Sequence, residues 1–301
     1  MSSGNDVSDD IRQFLTTRRA RITPQQAGLP EYGGRRRVTG LRRAEVAQLA
    51  GISIEYYTRL ERGNVRGVSE DVVESLARAL RLDDVERAHL VDLVRAANAA
   101  PTARHRQAPQ RVRRGVQQVL DSMTGAAAFV RNGALDILSA NHLGYALYSQ
   151  VFENPARPAN LARFVFLDAR SADFYRDWDR IAHDAVGSLR AEVGRNPSDR
   201  ALAELIRELS AGSEQFRARW AAHDVEYYRS GLQAFHHPAV GDIDLDYEAL
   251  EVPADPGLTI VAYTAEPNSD AEKSLNRLGS WASAPAATSQ ERAEDGRAAE
   301  E

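Results

Sequence analysis

Along the first hundred residues apolar side chains recur every three or four positions, and the polar residues between them leave one face of each segment to solvent, which is the period of amphipathic helices. Ile11, Phe14 and Leu15 mark a first helix over 10–21, which Pro24 stops or redirects. Residues 24–40 break the period, with Gly33, Gly34 and the run Arg35, Arg36, Arg37 in a loop-like stretch too charged for a core position. The helical period returns over 41–50, breaks at Gly51, restarts after Ser53, a good N-cap, and stops at Gly63. Two more helices are predicted over 70–81 and 84–97, so five short helices make an all-helical unit.

The pattern changes after a stretch of Ala, Arg, Gln and Pro at 98–110 that reads as a linker. A helix over 111–122 leads into two strands, 127–130 and 135–139, paired around Asn132-Gly133, and then a helix over 141–152. Long helical patterns fill 171–193, 197–211 and 213–222. Strands resume over 231–237, 242–251 and 258–264, a short helix over 271–281 closes the fold, and the tail beyond it has a disordered composition. The expected domains are 8–98 and 111–281, with a linker at 99–110 and a tail at 282–301.

Charge sharpens this division. The chain of 301 residues has a net charge of −5, but residues 1–115 hold 21 Arg against 14 acidic residues and are net +7, leaving −12 for the remainder. A basic module joined to an acidic one fits a DNA-binding head, whose arginines displace counterions from phosphate, attached to a body with another task. Cysteine is absent, which excludes disulfides and thiolate metal sites within the chain and is compatible with a reducing compartment. No apolar run approaches a membrane span, and the first ten residues are polar and acidic, unlike a signal peptide, so a cytoplasmic location is expected.

The segment 41–63 follows a steric logic. Val46, Leu49, Ile52, Tyr57 and Leu60 are spaced so that two crossed helices share one core, Ala47 is small where they approach closest, and Gly51 permits the sharp turn. Ser53 caps the second helix, whose early residues Ile54, Glu55 and Tyr56, with Thr58 and Arg59 a turn later, are expected to face the major groove or its phosphates. Ile54 can offer a thymine methyl an apolar contact, and Arg59 can reach phosphate or guanine. Arg42 and Arg43 open the first helix beside the DNA backbone, and Arg35, Arg36 and Arg37 form a candidate phosphate clamp. A helical hairpin that only docks another protein is the alternative.

The runs GLRRAEVAQLAG and YYTRLERG make this segment resemble the helix-turn-helix of the phage-repressor-like, or xenobiotic-response-element, family of bacterial regulators, in an actinobacterial branch. Arg43 departs from the pattern, because many relatives place Gln there. The resemblance implies a lambda-repressor-like all-α domain, double-stranded DNA as partner, a homodimer on a pseudo-palindromic operator, and a pairing of Glu61 with an arginine of the first helix, Arg18 or Arg19.

In the second half, VRNG with NHLG, FHHPAVG and VAYTAEP resemble the ligand-binding domain of regulators named for the methylenomycin activator (MmyB-like). That resemblance implies an α+β PAS-like fold with a helical insert and a pocket for a fatty-acid-like small molecule. Phe129, Leu143, Tyr148, Trp178, Trp220, Phe235 and Tyr263 are candidate lining residues, and Arg217 or His223 could meet a carboxylate. Each is also a candidate for ordinary core or surface. A protein-interaction module without ligand is the rival reading. A histidine-dependent enzyme has less support: His236 and His237 are adjacent, so on a strand they point to opposite faces, and no catalytic motif or cofactor signature accompanies them.

Overall fold

The computed structural model describes residues 3–29, 38, 40–98, 110–222 and 229–283. The expected phosphate clamp at Arg35, Arg36 and Arg37, most of the linker, His223 and nearly all of the tail lie outside the described residues.

The head contains α1 (Ser3–Arg21), α2 (Arg43–Ala50), α3 (Ile54–Glu61), α4 (Glu70–Ala79) and α5 (Asp84–Asn98). The first helix starts earlier than its sequence pattern suggests, because Val7 adds a turn to the apolar stripe and is buried with Ile11, Phe14 and Leu15. Val46, Tyr57 and Leu60 meet this core fully buried and Ile52 is half-buried. Leu49 corrects the expected pattern: it is 36% exposed, on the side of α2 turned away from the core. Gly51 adopts φ 68°, the left-handed conformation that lets the chain turn abruptly between α2 and α3.

The body opens with α6 (Arg114–Ser122), β1 (Ala127–Arg131), β2 (Asp136–Ala140), α7 (His142–Leu147), α8 (Ser149–Glu153), β3 (Ala159–Asn160) and α9 (Leu161–Leu167). The helical insert continues through α10 (Ser171–Phe174), α11 (Trp178–Arg195), α12 (Arg200–Gly212) and α13 (Glu214–Ala221). The chain then returns through β4 (Ser230–His237), β5 (Gly241–Glu251), β6 (Thr259–Thr264) and α14 (Asp270–Ser283). The strands form one sheet in the order β3-β2-β1-β6-β5-β4, antiparallel at each pairing.

Alternation along β1 explains the layers. Ala127 and Phe129 face the main core with the insert helices, while Ala128 and Val130 face Val116 and Leu120 of α6. Helix α6 backs the β1, β6 side of the sheet, and the outer face of β5 carries an exposed row, Asp242, Asp244, Asp246 and Glu248. The two expected long helices are interrupted. One breaks at Tyr148, between α7 and α8; the other breaks at Tyr175, which leaves the helix to form a β-bridge with Phe235.

Head and body touch through α5 and α11. A methyl group placed on Gly194 of α11 would lie 2.9 Å from the His89 ring of α5, so the two helices meet where one has no side chain.

Candidate nucleic-acid interface and ligand site

Helix α3 begins where the Ser53 hydroxyl accepts the Tyr56 N–H at 3.0 Å. This cap fixes which residues of the first turn point outward. Ile54, at 48% exposure, stands with Glu55 and Arg59 on the open side, Tyr56 and Thr58 are half-buried beside them, and Tyr57 and Leu60 are buried behind. The Arg59 guanidinium lies over the Tyr56 ring, 4.7 Å from its centroid, a cation-π contact that orders a long side chain on the surface. Arg42 is exposed at the start of α2, where its N–H donates to Glu45 Oε2 at 2.7 Å.

Arg43 has a structural task that its position in the motif did not reveal. Its Nε donates to Oε2 of Glu61, a carboxylate only 2% exposed, while Arg19 Nη2 donates to Oε1 at 2.6 Å and Arg19 Nε at 2.8 Å. Burial alone would raise the Glu61 carboxyl, but the hydrogen bonds and charge of Arg43 and Arg19 outweigh it and hold it below the ordinary 4.5. Of the two arginines implied as partners, Arg19 takes Glu61; Arg18 pairs instead with Glu86 of α5, Nε to Oε1 at 2.7 Å. The half-exposed Arg43 therefore ties the start of α2 to the end of α3 and fixes the angle between the motif helices.

In the body, the candidate lining residues Phe129, Tyr148, Phe235 and Tyr263 come together, as a packed cluster. Phe129 meets Tyr148 edge-on with ring centroids 5.2 Å apart, Phe235 meets Tyr263 at 5.4 Å, and the Tyr148 and Tyr263 hydroxyls lie 2.7 Å apart. Burial pushes the Tyr148 hydroxyl well above the usual phenol range, so this pair stays neutral. Phe174 and Tyr175 complete the cluster. Leu143 is buried on α7 against Gly279 of α14.

The two tryptophans sit apart, in the insert. Trp178 Nε1 donates to the Val165 carbonyl and to Ser171 Oγ, both at 3.1 Å, and Trp220 stacks on Phe216 at 5.4 Å. The guanidinium of Arg190 also lies over the Trp220 ring, 4.1 Å from its centroid. Arg217 is exposed and donates to the Ser210 carbonyl at 2.7 Å.

A cavity of about 230 Å³ opens elsewhere, between the β1–β2 turn, the β5–β6 connection and α11. Arg131, Arg195 and Arg229 line it on the polar side, Val252, Pro253 and Leu258 on the apolar side. No sequence pattern pointed to this groove, because its residues come from four separated segments.

His236 and His237 point to opposite faces, as expected. His236 is exposed and pairs with Asp242 at 2.5 Å; His237 is fully buried, its Nε2 3.2 Å from the Ala146 carbonyl and its Nδ1 accepting the Ala239 N–H at 3.1 Å. These bonds assign His237 the neutral tautomer protonated at Nε2, with both nitrogens engaged in structure. Among the described residues, no group of three or more His, Asp or Glu side chains is placed to hold a metal ion.

A capped helix with an outward-facing side, carried on a helical head and joined to an α+β body, fits a DNA-binding transcription regulator with a ligand-binding domain. The comparisons agree: a model described as "Helix-turn-helix domain" matches residues 13–90, and one described as "MmyB-like transcription regulator ligand binding domain" matches residues 112–278. The chain belongs to the family of MmyB-like regulators. No curated protein matches it. No helix among the described residues is long and apolar enough to cross a membrane.

Proposed function

We propose that the chain is a cytoplasmic, sequence-specific regulator that binds a pseudo-palindromic operator as a homodimer, with head 8–98 and body 111–281. The observation that carries the reading is the division of α3: Ile54, Glu55 and Arg59 are exposed on the side away from the core while Tyr57 and Leu60 anchor the helix. In this reading Ile54, Glu55, Tyr56, Thr58 and Arg59 approach base edges and phosphates, Ser53 holds the helix start, and Arg42, Arg43 and the run Arg35, Arg36, Arg37 meet the backbone. One head presents a small surface, so two heads a helical turn apart supply the affinity a specific site needs.

The test is binding to DNA flanking the chain's own coding sequence, measured across a salt series. Saturable, salt-sensitive binding weakened by Arg59→Ala is expected; equal affinity for random DNA at every salt concentration defeats the reading in favour of a protein-docking module. For the body, a fatty-acid-like ligand would enter by parting the rings around Tyr148. Octanoate is then expected to change the near-ultraviolet spectrum of those aromatics, and an unchanged spectrum at saturating octanoate counts against it.

A further inference from the structure

We propose that the groove between the β1–β2 turn, the β5–β6 connection and α11 is a binding site for a compact organic dianion, a dicarboxylate or phosphate monoester with a small apolar body, and that Arg195 reports its occupancy to the head. The second half of this statement rests on the proposed DNA-binding role; the first half does not.

Three guanidinium groups converge on the groove, those of Arg131, Arg195 and Arg229, within a half of the chain whose own balance is strongly acidic. Arg229 pairs with Glu251 at 3.1 Å and Arg195 with Glu192, beside the lining Gly133, at 2.8 Å, so a ligand competes with these two carboxylates for the same forks. Converging guanidinium forks suit the paired oxygens of a dicarboxylate or a phosphate. Val252, Pro253, Pro256 and Leu258 give the rest of the ligand an apolar wall. A volume of about 230 Å³ suits a small ring or short chain better than a long acyl tail.

Arg195 connects this groove to the head. Its Nη2 meets Glu192 Oε2 at 2.8 Å, and the other Glu192 oxygen accepts Asn196 Nδ2 at 2.6 Å. Glu192 in turn lies against the β1–β2 turn so closely that a methyl group on Gly133 would come within 1.9 Å of its carboxylate. On the other side, Arg195 directly follows Gly194, on which the His89 ring of α5 rests. An anion that draws Arg195 into the groove therefore weakens its hold on Glu192 beside the contact between α11 and the head. A ligand shifts an equilibrium only by binding one state better, and this arginine has different partners in the two states.

Calorimetry on the full chain at low ionic strength, with phenyl phosphate and phthalate as probes and benzyl alcohol as the neutral control, tests the site. Both dianions are expected to bind, at least tenfold more tightly than to the double variant Arg131→Gln/Arg229→Gln, and benzyl alcohol is expected not to bind. Ser188→Phe, which keeps every arginine but fills the groove from α11, is expected to remove binding as well. Absence of binding by both dianions, binding by the neutral control, or binding that survives both variants overturns the site. The relay is read separately: saturating phthalate is expected to change DNA affinity at least threefold in the wild type and not in Arg195→Gln. Phthalate binding with unchanged DNA affinity overturns the relay alone. A wild type that binds no DNA overturns the relay and the regulator reading together, while calorimetry still decides the groove.

Discussion

Glu61 shows how a single residue can set the geometry of a reading surface it never touches. Its carboxylate is buried between Arg19, itself largely buried, and the half-exposed Arg43; removing one partner of a buried pair destabilises by about 3–5 kcal/mol, and solvent at Arg43 lowers that cost here. Glu61→Gln, which leaves two arginines facing a neutral amide, is expected to lower head stability by about 3 kcal/mol, the lower end of this range, measurable by urea denaturation of the full chain. Since the folded-state carboxyl titrates below the ordinary 4.5, its contribution is fully present above that pH and is lost as pH falls through the folded value. His237 acts in a different window. Burial lowers its folded-state value below 6.5, so the unfolded chain takes up the proton first and stability declines as pH falls through 6.5 towards the folded-state value. A His237→Gln variant should flatten that part of a melting-temperature profile while leaving the more acidic step from Glu61 in place. Ser53→Ala is expected to remove about 1 kcal/mol by uncapping α3, with DNA affinity falling in parallel.

At the scale of elements, the helices of the head were legible because each has one polar side and one apolar side. The exception at Leu49 is a matter of angle: five residues at helical spacing cannot all face the core when the second helix crosses rather than parallels the first. In the body the reading was coarser for physical reasons that can be named. Helix α9, Leu161–Leu167, was invisible because Phe164, Val165 and Phe166 are all buried, so no polar face marks a period. The two-residue strand β3 is too short for alternation to register. The break at Tyr175 depends on Phe235, sixty residues onward, and no local pattern carries that information. Of the candidate ligand residues, Phe129, Tyr148, Phe235 and Tyr263 meet in the cluster around Tyr148 while Trp178 and Trp220 lie in the insert, and local sequence cannot distinguish rings that line a space from rings that fill it. Tyr148→Phe, which deletes half of the buried hydroxyl pair, is expected to lower stability by about 1 kcal/mol, as read from the thermal midpoint of the body.

For the whole molecule, the contact between α5 and α11 decides whether the body can influence the head at all. Gly194→Val would force the His89 ring aside, and its expected effect is a loosened contact: faster proteolysis at the linker, with the circular dichroism of each domain preserved. Unchanged cleavage kinetics would mean that the two halves behave independently. The division of charge reaches further than this contact. With its positive surplus in residues 1–115 and a row of carboxylates on the outer face of β5, the protein is an electric dipole as well as a binding surface. In the field of a duplex such a molecule feels a torque before it feels a contact. The head is turned toward the phosphates and the body away from them, so encounters arrive already oriented and salt slows association partly by letting the molecule tumble.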